Sequence, residues 1–370
     1  MSAFWAQRSD WAGYEVVRVF KVPLILLYCR YNIGKKEWWV CIASLGLSVS
    51  IQAIFGILQV AGILGNYQVE DWDSGLRAAG TLAHASLLSS YLLLLLPLFA
   101  ALTITVRRIE MKVLSGLAAL IALAGVGCTM SRIPWIISVL EAAALTLGLL
   151  RFRLVPLKRT IAVWSISIAL LGISLIPFYN RIQQRATEDV DTAIQWRLRM
   201  NEIGFDLFQE HAFLGIGLAN FPLYLRNMNM EFGDSLDMAM SGIFSRNRVE
   251  REGVEGFHWV WVPHNLYVLL LAETGFLGLC SFLVFIGASV RIALRSLRST
   301  EGAWRVATLG LLVGMCGILG HMMTDWAMWL DPILFTFALV VSLLNNAPTV
   351  IPIRRPEVSF AAPPLQSMAE

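Results

Sequence analysis

The chain has 370 residues, of which 57% are hydrophobic and only 15% charged, with a formal net charge of +3 at pH 7. Soluble domains carry about 25% charged residues, so the composition excludes a soluble enzyme and describes an all-α, polytopic membrane protein. The positive balance does not point to nucleic acid, because most basic residues lie in short loops between apolar runs, where such residues orient membrane proteins.

The first apolar run, Val16 to Cys29, is short and is interrupted by Arg18, Lys21 and Pro23. Crossing a bilayer takes roughly 20 apolar residues, so this run is expected to be an interfacial helix or the remnant of a longer N-terminal region. No cleavable signal is expected either, since MSAFWAQRSDW lacks a basic region followed by an apolar one. Clear spans are predicted at 38–64, 84–106, 111–130, 133–150, 160–178, 265–290, 306–323 and 327–346, or about 8–9 transmembrane helices with the first run included.

The connections sort by charge. Arg30, Lys35 and Lys36, then Arg107, Arg108 and Lys112, then Arg151, Arg153, Lys158 and Arg159, then Arg291, Arg295, Arg298 and Arg305 fall in alternate loops, and Arg354 and Arg355 follow the last span. The positive-inside rule makes all of these cytoplasmic. The opposite side receives the loop around Glu70-Asp71-Trp72-Asp73, the Ser131-Arg132 turn, the region 179–264 and the Thr324-Asp325 turn. The five histidines (His84, His211, His258, His264 and His321) lie in these segments or at the helix ends beside them. This divides the chain into N-terminal membrane helices (1–178), a large outer loop (179–264), which would be periplasmic in a bacterial inner membrane, C-terminal membrane helices (265–346) and a cytoplasmic tail (347–370).

The large loop is too long for a simple connector. From Gln195 through Phe208 its apolar residues recur at intervals of three and four, which predicts an amphipathic helix along the membrane surface. Gly215-Ile216-Gly217 ends it. Without a strand before or a Walker context around them, these glycines read as a turn and not a phosphate cradle. The segment 227–256 is polar and mixed in charge, and Trp259 and Trp261 lead back to the interface. There follows Pro263-His264-Asn265-Leu266-Tyr267, the start of a long apolar helix running on through Glu273-Thr274-Gly275 to Gly278. Pro263 suits a first helical turn. His264 meets water near a positive helix end, which fits a proton-transferring imidazole, an anion contact or a plain interfacial anchor.

Three arginines reach the same boundary: Arg132 in the turn between two spans, Arg197 beside Trp196 on the predicted surface helix, and Arg77 at the mouth of a span. The planar guanidinium grips phosphate oxygens with paired, charge-assisted bonds. Taken singly, each arginine equally fits snorkelling or pairing with a carboxylate. The five cysteines form no CxxC pair and no HExxH is present, so neither a disulfide framework nor a metal site is expected. Glu141 and Glu273 are the main ionisable residues within spans, and Glu273 reads as structural. Gly310 and Gly314 read as a close-packing pair.

The segments RAAGTLAHASLLSSYLLLLLP, TMSRIPW, WRLRM, FLGIGLANF and PHNLYVLLLAETGFLGL, in that order, resemble the O-antigen ligase and O-antigen polymerase family of bacterial membrane proteins over roughly residues 75–345. The resemblance implies a GT-C-like helical fold in the bacterial inner membrane. It also implies transfer of a glycan from an undecaprenyl-diphosphate-linked donor to an acceptor glycan, lipid A-core or protein, without metal or other cofactor and without nucleic acid. On it, His264, Arg132 and Arg197 are the expected catalytic residues, with Arg77, Ser131, Trp196, Arg199 and Asn265 binding substrate and membrane lipids surrounding the site. The alternatives are a transporter of a small anion such as bicarbonate and an inactive binding homologue. A transporter needs polar or broken helices meeting at the midplane, whereas the polar residues here collect at one surface.

Overall fold

The computed structural model describes residues 6, 9–64, 77–82, 84–158, 191–227 and 262–347, together with residues 161, 162, 165, 179 and 183. The expected span at 160–178 and the polar segment 228–256 lie largely or wholly outside the described residues.

The described residues form helices α1 (Ser9–Asn32), α2 (Lys35–Val60), α3 (Ala85–Thr105), α4 (Ile109–Cys128) and α5 (Arg132–Arg151). After them come α6 (Asp191–Glu210), α7 (Phe221–Asn227), α8 (Leu266–Ser299), α9 (Gly302–His321), a 3₁₀ turn (Ala327–Trp329) and α10 (Asp331–Asn345). Six of them, α2, α3, α4, α5, α8 and α9, are long and apolar enough to cross a membrane. The chain is thus an all-helical, polytopic membrane protein.

The bundle is built around α3. Its sequence is apolar on every side, so no face favours lipid over protein, and it is buried almost throughout. α9 lies directly against it. A Cβ at Gly310 would collide with the Leu98 backbone, and one at Gly314 with the Leu94 carbonyl. The two glycines thus let the helix backbones touch, as their spacing suggests. α2, α4 and α5 surround α3 and expose apolar stripes such as Ile136, Val139, Leu140 and Leu147, the faces that meet lipid.

Two ends of the bundle differ in charge. Arg30, Lys35, Arg108, Arg151, Arg298 and Arg305 lie at or beside one set of helix termini. The other end, called here the His264 end, collects the 77–84 segment, the Ser131–Arg132 turn, the start of α8 and the turn after α9.

The N-terminal run is longer than the sequence suggested. Residues 9–32 form one continuous helix, which lies along α10 in the same direction. Arg18 is only 3% exposed. It donates from Nε and Nη2 to the Glu15 carboxylate, and from Nη1 to Trp329 O at 2.6 Å and Asp331 Oδ1 at 2.9 Å. Its guanidinium also lies over the Trp329 ring. Below this cluster Val22 packs with Leu334 and Ala338. The charge that interrupts the apolar run is neutralised within the bundle, which a hydropathy reading of one segment does not show.

The last predicted span, 327–346, is shorter than expected, because residues 327–330 are not α-helical. Asp325 Oδ1 accepts from Trp326 N at 2.7 Å and Ala327 N at 2.9 Å, closing a turn, and Pro332 then starts α10.

Candidate functional site

The His264 end is organised by three backbone devices. The first is the start of α8. Asn265 Oδ1 accepts from Tyr267 N (3.0 Å) and Val268 N (3.3 Å), and Leu266 N donates to Met322 O and Asp325 O. The helix therefore begins at Leu266 with an asparagine cap. Pro263 and His264 stand just outside it, a correction to the sequence reading that put Pro263 in its first turn. The carboxamide oxygen of Asn265 is spent on the cap.

The second device is a break within α8. Gly275 has φ 65° and ψ −169°, a region open in practice only to glycine. Around it Ile216 N donates to Ala272 O, Gly217 N to Glu273 O, Phe276 N to Ala212 O and Leu277 N to Phe213 O. The segment 212–217 is thus laced to the opened helix like a short ladder. Gly215 (φ +66°) and Gly275 each face the other segment's backbone so closely that a Cβ would collide with it. Glu273 reaches back to accept from Phe221 N at 3.2 Å, at the start of α7. These contacts explain two motifs, FLGIGLANF and ETGFLGL, as one joint, and make Glu273 structural, as read from the sequence. The joint fixes α6 against the start of α8. A Cβ on Gly204 would collide with Val268 and press on Pro263.

The third device holds the turn between α4 and α5. Arg77 donates from Nε to Thr129 O (3.0 Å) and from Nη2 to Ser131 Oγ (2.7 Å), while Ala78 N donates to Cys128 O. Gln59 in turn clamps the 78–80 segment, accepting from Ala79 N and Gly80 N and donating to Gly80 O. Arg132, half-buried at the first position of α5, is presented by this strapped turn.

The expected site residues therefore divide. Arg77 and Ser131 are bonded together beside Arg132. Arg197, exposed on α6, faces His264 and His321 electrostatically. Arg199 is also exposed, but points to another side of α6 and pairs with Glu202 at 3.1 Å. The side chain of Trp196 lies outside the described residues.

Sequence reasoning did not anticipate the cluster beneath His264. Asp325 is buried and surrounded by imidazoles. Burial alone would raise its pKa, but His321 and His264, the Ala327 N–H and His84 together hold it below the usual carboxylate range. His321 is itself buried, with Nδ1 3.0 Å from Ser90 Oγ of α3. The His264 pKa moves down, first through burial and then through the positive fields of Arg197 and His84, with Asp325 opposing. Its Nδ1 is buried with no hydrogen-bond partner. The position of all five histidines and Asp325 on one side of the membrane pattern was the signal available in the sequence; the convergence of His84, His264 and His321 on Asp325 was not.

A helical membrane protein with a polar, arginine- and histidine-bearing site at one end of its bundle is the class defined so far. Residues 117–283 match the O-antigen ligase family model, which supports assignment of the chain to that family. The match includes Ser131, Arg132, Arg197 and His264, while Arg77, His321 and Asp325 fall outside it. The match suggests glycan transfer of the ligase or polymerase type, with lipid-linked glycans as the class of substrate. No curated protein matches the chain.

Proposed function

We propose that the protein transfers a glycan from an undecaprenyl-diphosphate-linked donor to an acceptor hydroxyl at the periplasmic face of the bacterial inner membrane. The observation that carries this reading is the joining, at one end of the bundle, of the strapped turn that presents Arg132 with the starts of α3 and α8 and the end of α9, which bring His264, His321 and Asp325 together.

Arg132 and Arg197 hold the diphosphate, and charge-assisted bonds to them neutralise the leaving group. Arg77 and Ser131 widen the anion site around Arg132. Trp196 and Arg199, neighbours of Arg197 in the chain, are assigned to substrate binding on the family resemblance alone, and Asn265 sets the height of His264 through the cap. The acceptor oxygen forms a bond to the anomeric carbon on the face opposite the diphosphate, and the bond from that carbon to the diphosphate oxygen breaks, inverting the centre. The electron pair leaves with the lipid diphosphate. The hydroxyl proton passes to His264, which suits the task because a base must be unprotonated at the working pH. Positioning and electrostatics then supply most of the acceleration, with the arginines in the place a metal ion would take.

The test is purified protein in nanodiscs with lipid-linked glycan, in buffer containing EDTA. Wild type should transfer. His264→Ala should lose transfer by about 10²–10⁴-fold, the usual cost of a general base, while retaining donor affinity. Transfer that vanishes in EDTA and returns with Mg²⁺ refutes metal independence. A His264→Ala variant that loses donor binding but transfers normally at saturating donor makes the histidine a phosphate ligand instead.

A further inference from the structure

α6 carries three distinct faces. Met200, Ile203 and Leu207 are buried in the second core cluster with Phe221, Val262 and Leu269. Ile194, Leu198 and Phe205 form an exposed apolar stripe, and Gln195, Arg199, Glu202 and Asp206 form a solvent face. Between the core face and the apolar stripe run Arg197, Asn201 and Gly204, spaced i, i+4 and i+7, and so aligned along the helix.

The two ends of this line are placed by contacts. Gly204 abuts Pro263 and Val268, the residues on either side of His264, and Arg197 acts electrostatically on His264 and His321. Asn201 stands between them. Its Oδ1 is buried and has no hydrogen-bond partner, as is true of His264 Nδ1 on the element it faces. A buried carboxamide oxygen without a partner is costly and uncommon. Two such atoms on facing elements at one site mark polar groups waiting for a ligand.

We infer that Asn201 binds the sugar joined to the diphosphate, accepting a hydrogen bond from a ring hydroxyl or from the N–H of an acetamido substituent. This rests on the donor reading given above. The separation supports it: one helical turn from Arg197 is about 5–6 Å between Cβ atoms, comparable to the distance from a glycosyl phosphate to a substituent across the first ring. An apolar residue at this position would pack as well and leave no orphan atom, so stability does not call for asparagine there.

The experiment compares wild type with Asn201→Leu as full chains in nanodiscs. Donor kcat/KM, affinity for undecaprenyl diphosphate lacking sugar, and melting temperature are measured for each. Asn201→Leu should lower kcat/KM about three- to ten-fold, the range of one neutral hydrogen bond. It should leave undecaprenyl diphosphate affinity unchanged and keep or raise the melting temperature. Donor analogues lacking one hydroxyl or the acetamido group of the first sugar should identify a substituent whose removal slows wild type and has no further effect on the variant. A variant that transfers like wild type with every donor, or that loses undecaprenyl diphosphate affinity in step with transfer, overturns this assignment alone. A wild type that neither binds undecaprenyl diphosphate nor transfers overturns the donor reading and this assignment with it.

Discussion

Replacing Gly275 by alanine tests whether the joint between 212–217 and the broken helix α8 positions the site. At φ 65° and ψ −169° an alanine costs about 1–3 kcal/mol in backbone strain. Its methyl group would also run into the Phe213 carbonyl and the Leu214 nitrogen. Relieving that clash separates the two segments, and the nearest bonds, Phe276 N to Ala212 O at 2.8 Å and Leu277 N to Phe213 O at 3.4 Å, are the first to go. Two such bonds add about 0.5–1.5 kcal/mol each, so the whole loss is about 2–6 kcal/mol. Because the joint holds α6 against the start of α8, transfer should fall further than global stability alone predicts. Gly287→Ala is the control: it sits in the same helix with open space where the Cβ would go, and should be neutral or stabilising by about 0.5–1 kcal/mol. The assay is thermal unfolding in detergent beside transfer in nanodiscs. A Gly275→Ala protein that melts and transfers like the Gly287→Ala control refutes the reasoning.

Arg132→Ala and Arg197→Ala should each remove charge-assisted bonds worth about 1.5–3 kcal/mol, a loss of roughly ten- to a hundred-fold or more in donor use. Lysine should restore only part of it, since it keeps the charge without the fork; full rescue by lysine in donor-binding measurements would argue against paired bonds to phosphate. The pH profile of transfer should be flat from neutrality down to the ordinary histidine range and fall only on the acid side of pKa 6.5. The sign follows from burial, Arg197 and His84, which depress the His264 pKa, against Asp325, which raises it. Asp325→Asn removes the opposing negative charge, so its acid limb should move to still lower pH; a shift to higher pH contradicts the assignment of that limb to His264. For topology, single cysteines at positions 241 and 359 in a background free of native cysteines should differ in spheroplasts. The first should react with an impermeant maleimide and the second only after lysis, and protection of position 241 in intact spheroplasts would invert the orientation.

The sequence by itself determined the class of the molecule, because composition and apolar run length depend on residue type and not on packing. It placed α2 to α5, α9 and the start of α8 within a few residues, and the chemistry-bearing residues at one end of them, while α8 runs on to Ser299, through Arg291, Arg295 and Arg298, which had read as a loop. It also picked out Gly310 and Gly314 as packing positions, since small residues at that spacing matter only where backbones touch. Other features needed the tertiary structure. Arg18 reads as an interruption until Glu15 and Asp331 are seen to neutralise it, a pairing across the whole length of the chain. Gly215 reads as a turn and Gly275 as part of an unbroken helix until their backbones meet. Asp325 reads as a loop acid until His84, His264 and His321 are brought around it from the starts of α3 and α8 and the end of α9. Asn201 reads as one polar position of an amphipathic helix until its oxygen is found buried without a partner. Each of these depends on which distant segment supplies the neighbouring atom, and local periodicity carries no information about that partner.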